Sequence, residues 1–124
     1  MKSITTEKAP AAVGPYSQAV VAGNLVFVSG QIPVDPATGN IPEDIVDQAR
    51  QALTNLGEVL RASGSGLDKA VKVTVFITDI SAFRKVNEVY AEFFKEPCPS
   101  RSCVEVSKLP KGVKIEIDAI GIIG

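Results

Sequence analysis

The sequence predicts an α+β fold in which one mixed β-sheet carries two amphipathic helices on a single face. Three observations lead there. Several short segments are β-branched and alternate apolar with polar residues or run unbroken in apolar ones. Two longer segments repeat apolar residues at helical spacing instead. Along the chain these segments fall in the order β-β-α-β-α-β-β, after a short possible strand near "KSITT".

The first hairpin is "SQAVVAGNLVFVSG", two apolar runs separated by Ala22, Gly23 and Asn24. The Pro- and Gly-dense "QIPVDPATGNIP" reads as a loop. A helix follows, with Ile45, Ala49, Ala52, Leu53, Leu56, Val59 and Leu60 on its apolar face. Pro42, Glu43 and Asp44 suit its first turn, and Gly64 and Gly66 stop it. "AVKVTVFITD" is a strand with Val71, Val73, Val75 and Ile77 expected on one face and Lys72 and Thr74 on the other. Asp79 or Ser81 then caps a second helix, whose apolar face is Phe83, Val86, Tyr90, Phe93 and Phe94, and Pro97 and Pro99 end it. Two strands, "PSRSCVEV" and "VKIEIDAIGI", close the chain around "KLPKG".

At 124 residues, 45% hydrophobic and 22% charged, the chain is expected to form one domain over residues 1–124. Strands such as "LVFVSG" and "IEIDAIGI" are apolar on nearly both sides, so helices on one face would leave a large apolar face open. A homo-oligomer packed sheet against sheet is the expected remedy. Thirteen basic residues are dispersed among 14 acidic ones with no basic run, which argues against nucleic acid as a partner. No segment has the length of a membrane span or a signal-peptide core, so no membrane partner is expected and the expected location is cytoplasmic, with an organelle left open.

The chain contains no histidine, the commonest metal ligand and general base, and no CxxC pair. Cys98 and Cys103 read as reduced thiols. No metal and no cofactor are expected, and any chemistry must rest on carboxylates, arginine, hydroxyls, a thiol or backbone groups. The densest polar chemistry lies in the closing strands, where Arg101 and Cys103 share one side of the first and Glu116 and Asp118 share one side of the second. A simple hairpin would set Cys103 opposite Glu116, Arg101 opposite Asp118 and Glu105 opposite Lys114. That makes the charges cross-strand ion pairs on a wet face, the favoured reading of this stretch alone. If the face is a cleft, Arg101 could instead grip a carboxylate and Glu116 orient water.

Tyr16 in "GPYSQAV" reads first as a half-buried anchor with a wet hydroxyl. Ser29 and Gly30 in "VSGQIP" are a turn or a place where backbone comes close to a ligand, and no phosphate-loop spacing is present. Cys103 lacks a base and is given a lining role rather than a catalytic one. Asn87 reads as part of a solvated helix face unless that face meets a partner.

Together, "APAAVGPYSQAV", "FVSGQIP", "QARQALTNLGEVLRASG", "VKVTVFITD", "VNEVYAEFF" and "PSRSCVEVSKLPKGVKIEIDAI" closely resemble the RidA (YjgF) family through nearly the whole chain. The resemblance implies a chorismate-mutase-like α+β fold with a six-stranded sheet. It also implies a homotrimer whose sheets form a central barrel, with three clefts between subunits. The last strand would lie inside the sheet in a split β-α-β arrangement, which removes the simple hairpin. The implied activity is 2-iminobutanoate/2-iminopropanoate deaminase, the cofactor-independent hydrolysis of small enamines and imines to 2-keto acids and ammonia. By motif, Arg101 would bind the substrate carboxylate and Glu116 would hold the attacking water. Tyr16, Ser29, Gly30, Asn87 and Cys103 would line the pocket.

Two departures stand out. Cys98 occupies a place where many family members carry an aromatic residue, and members differ at the position of Cys103. The competing readings are a trimeric small-carboxylate-binding module without turnover, a ribonuclease, which the charge distribution disfavours, and a chaperone-like module.

Overall fold

The computed structural model describes residues 1–124. Eight principal elements follow one another: β1 (Lys2–Ile4), β2 (Ala19–Ala22), β3 (Leu25–Gln31), α1 (Ile45–Ala62), β4 (Ala70–Ile77), α2 (Phe83–Phe93), β5 (Ser100–Glu105) and β6 (Ile115–Ile122). The strands form one sheet in the order β1-β2-β3-β6-β4-β5. β4 and β5 run parallel, and the other neighbours run antiparallel.

The expected hairpin between β2 and β3 forms. Its turn needs only Gly23 and Asn24, because Ala22 pairs with Leu25, and Gly23 takes the positive φ of 62° that such two-residue turns require. Helix α1 forms where periodicity put it. Asp44 is its N-cap, accepting from the Val46 backbone N–H at 3.0 Å. At the other end Gly64 turns left-handed, with Ser65 N–H donating to Leu60 and Gly64 N–H to Arg61, the paired bonds of a Schellman ending.

The two closing strands do not pair. β4 lies between them, so Arg101 stands beside Val73 and Cys103 beside Val75, whereas Glu116 pairs with Phe76 and Asp118 with Thr74. Neither expected ion pair exists. Glu105 instead accepts from the Ile80 N–H, and Lys114 donates to the Glu43 carbonyl. The reason is topological: α2 separates β4 from β5, and such a crossover returns the chain parallel to the strand it left.

Two local expectations also shift. The register between β4 and β6 slips between Ala70 and Lys72, which turns Val71 out of the apolar face, so Ala70 joins Val73, Val75 and Ile77 in the core. Asp79 caps a short 3-10 turn, Ile80–Ala82, rather than α2 itself. The helix ends at Phe93, because Phe94 is already extended, before either proline.

Both helices pack on one face of the sheet. Ala49, Ala52, Leu53, Leu56, Val59 and Leu60 of α1 are fully buried, and Val86 and Val89 of α2 nearly so, against Val26, Val73, Val75, Ile77, Ile115 and Ile117. The opposite face carries Phe27, Val104 and Ile122, each about 40% exposed, with Phe27 paired to Ile120 and Val20. This is the open apolar face foreseen from the unbroken strands.

Candidate active site

The end of β3 carries a bulge: Val28 pairs with Ala119 and Gln31 with Ile117, so Ser29 and Gly30 together oppose Asp118. The bulge lets the Glu116 carboxylate lie over Gly30. A Cβ built on Gly30 would sit 2.7 Å from Glu116 Cδ, closer than real atoms approach. Only glycine leaves that space. Burial first, and then the neighbouring Asp118 carboxylate, raise the Glu116 pKa above the ordinary carboxylate value.

Gly30 also borders a cleft of about 810 Å³ between the N-terminal loop and the segment after β3, with Tyr16, Gln31, Ile32 and Lys111 among its lining. Tyr16 is 53% exposed, a half-buried ring at the edge of the cleft. Ser29 binds the loop, its hydroxyl donating to the Ser17 carbonyl at 2.6 Å.

Arg101, Asn87 and Cys103 form a second group at the far edge of the sheet. Arg101 Nη1 donates to Asn87 Oδ1 at 2.8 Å, and the guanidinium lies over the rings of Tyr90 and Phe83, with its carbon 4.6 and 5.2 Å from their centroids. Asn87 is therefore a partner of Arg101 rather than part of a solvated face. Burial raises the Cys103 thiol pKa, opposed by Arg101, so at neutral pH the sulfur is a thiol. It lines the group and is no activated nucleophile.

The two groups lie on opposite faces of one sheet. Directly paired residues point the same way, and Arg101 pairs with Val73, which pairs with Ala119 on the helix side. Glu116 pairs with Phe76, which pairs with Val104 on the open side. A single chain thus offers two candidate half-sites, one with Tyr16, Gly30 and Glu116, the other with Asn87, Arg101 and Cys103. No cluster of three or more histidine, cysteine, aspartate or glutamate side chains could hold a metal ion. No helix is long and apolar enough to cross a membrane.

Buried amides carry structural bonds that the sequence does not announce. Gln18 accepts from Thr6 N–H at 2.7 Å and donates to the Pro10 carbonyl at 2.7 Å, pinning the N-terminal loop over the cleft. Asn55 donates to the carbonyls of Ile32 and Val34 at 3.1 and 2.9 Å, fixing the opposite wall. Gln48 joins Pro42 to Lys114. Its pattern marks only the places of two: Gln48 and Asn55 stand seven apart among the apolar positions of α1, where an amide must find buried partners.

A six-stranded mixed sheet with both helices packed on one face defines a class of small α+β proteins. The chain belongs to the family described as Endoribonuclease L-PSP, which matches residues 6–123 and is the RidA (YjgF) family. It is 52% identical over 124 residues to 2-iminobutanoate/2-iminopropanoate deaminase of Escherichia coli, covering 98% of this chain and 97% of that protein. It is 56% identical over 118 residues to a RutC family protein of Pyrococcus horikoshii, covering 94% of each. Among solved structures, E. coli TdcF with bound serine superposes with a TM-score of 0.95 at 50% identity over the whole of both chains.

Proposed function

We propose that this protein hydrolyses small 2-imino acids and their enamine tautomers, such as 2-iminopropanoate and 2-iminobutanoate, to 2-keto acids and ammonia. One observation carries the reading: an arginine whose hydrogen-bonding partner is a neutral amide, and a carboxylate with a raised pKa beside a glycine bulge. The name of the relative at 52% identity supports it.

Arg101 binds the substrate carboxylate through its free N–H groups. Glu116 holds a water and aims it at the electrophilic carbon. The water oxygen bonds the imine carbon while its proton passes by way of Glu116 to the imine nitrogen, giving a neutral carbinolamine. Glu116 then takes the hydroxyl proton and delivers it to nitrogen as C=O forms and the C–N bond breaks, so that ammonia leaves the 2-keto acid. Because imines hydrolyse unaided, an acceleration on the order of 10²- to 10⁴-fold suffices, within reach of positioning and one acid-base group. A raised Glu116 pKa makes the group a better base when ionised and a usable acid when protonated.

The opposed half-sites require that a second copy complete each site, Arg101 coming from one subunit and Glu116 from its neighbour. A closed ring of three copies joined through the open faces, with Phe27, Val104 and Ile122 covered, meets this need. Tyr16, Ser29, Gly30, Asn87 and Cys103 line the resulting cleft.

The test is release of 2-keto acid from freshly generated 2-iminopropanoate and 2-iminobutanoate by wild type, Arg101→Ala and Glu116→Ala. Acceleration lost in both variants with the assembly intact supports the hydrolase. A wild type no faster than buffer refutes it and leaves carboxylate binding, which Arg101→Ala alone would abolish.

A further inference from the structure

Phe83, Asn87 and Tyr90 stand four and three residues apart along α2, the spacing that puts side chains on one stripe of a helix. Arg101, delivered by β5, lies along that stripe, bonded to Asn87 and stacked above both rings. Phe94 continues the row, its ring stacked on Tyr90 with centroids 4.4 Å apart. No carboxylate pairs with this guanidinium, the ion pairs of the chain being Arg50–Glu92 and Arg61–Glu58. An aspartate or glutamate in Asn87's place would occupy the fork and cancel its charge. A neutral amide and two ring faces restrain the plane and leave the charge for an incoming anion.

We propose that Phe83 and Tyr90 are positioning residues that hold Arg101 in the orientation that receives the substrate carboxylate. This rests on the role given to Arg101 above. The ring of Tyr90 acts, and its hydroxyl does not: that oxygen is buried with no hydrogen-bond partner. Phenylalanine at position 90 should therefore serve as well, whereas leucine fills the space without a quadrupole to face the cation.

The experiment compares wild type, Tyr90→Phe, Tyr90→Leu, Phe83→Leu and Arg101→Ala. It reads KM and kcat for 2-iminobutanoate, and dissociation constants for 2-oxobutanoate and its methyl ester, with melting temperature and assembly size as controls. The leucine variants should raise KM, and weaken 2-oxobutanoate binding, by roughly tenfold, the size of one partly desolvated cation–π contact. Their kcat should change less, and ester binding should be unmoved. Tyr90→Phe should behave as wild type. Folded leucine variants that bind 2-oxobutanoate normally, or lose the ester equally, would overturn the positioning role even while Arg101→Ala still abolishes binding. An Arg101→Ala protein that binds 2-oxobutanoate like wild type would instead overturn the reading beneath it. Phe83 is only half-buried, so Phe83→Leu carries the test if Tyr90→Leu does not fold.

Discussion

At Gly30 the missing side chain is what gives the Glu116 carboxylate its place. Gly30→Ala should force that carboxylate aside and lower kcat/KM by on the order of 10- to 100-fold, with an unchanged circular dichroism spectrum. An alanine variant of full activity would show that Glu116 need not lie there. Glu116 has a second consequence. Its raised pKa means the folded chain holds this proton more tightly than the unfolded chain, so its favourable contribution is complete below the ordinary carboxylate value and is lost as pH rises through the raised one. Glu116→Gln should therefore melt higher than wild type at neutral pH, while hydrolysing imines poorly, and the gain should shrink below about pH 4. Melting curves across pH decide the matter, and a lower melting temperature at neutral pH would mean that a positive partner stabilises the ionised group. For the same reason wild-type kcat/KM should rise with pH through the raised Glu116 value.

Helix α1 both closes the core and braces the cleft, and the two duties separate by mutation. Asp44→Ala removes only the N-cap bond and should cost about 1 kcal/mol with little effect on turnover. Asn55→Ala strips the Val34 carbonyl of its donor and the Ile32 carbonyl of one of its two, and should cost about 1–3 kcal/mol. It should also raise KM, because the wall of the cleft is no longer pinned. Urea unfolding beside steady-state kinetics tests the pair, and equal kinetic effects from the two variants would argue against a bracing role for Asn55.

For the whole molecule, opposed half-sites make a prediction about mixtures. Arg101→Ala and Glu116→Ala proteins, each inactive alone, should regain roughly a quarter of wild-type activity when unfolded together and refolded at equal ratio. Each mixed ring of three contains one site with both groups intact, and about three quarters of rings are mixed. Activity that stays at background in verified mixed assemblies would put both residues on one chain's substrate, against the geometry of the sheet.

Much of this molecule was written in local pattern. The burial of Leu53, Leu56 and Leu60, the stop at Gly64 and the hairpin turn at Gly23 follow from spacing and backbone preference that neighbouring residues decide among themselves. Within a strand the two-residue period also set Arg101 with Cys103, and Glu116 with Asp118. The resemblance of motifs along the chain singled out the same residues as candidates. The resemblance also placed the last strand inside the sheet, as the order β3-β6-β4-β5 has it, but only the tertiary structure decided that a bulge turns Val71 outward and that Arg101 and Glu116 occupy opposite faces. The physical reason is that a strand's period fixes which side chains agree with one another, not which side of the sheet they share with another strand. That choice belongs to pairings made across long loops, where one residue of slip reverses every side chain.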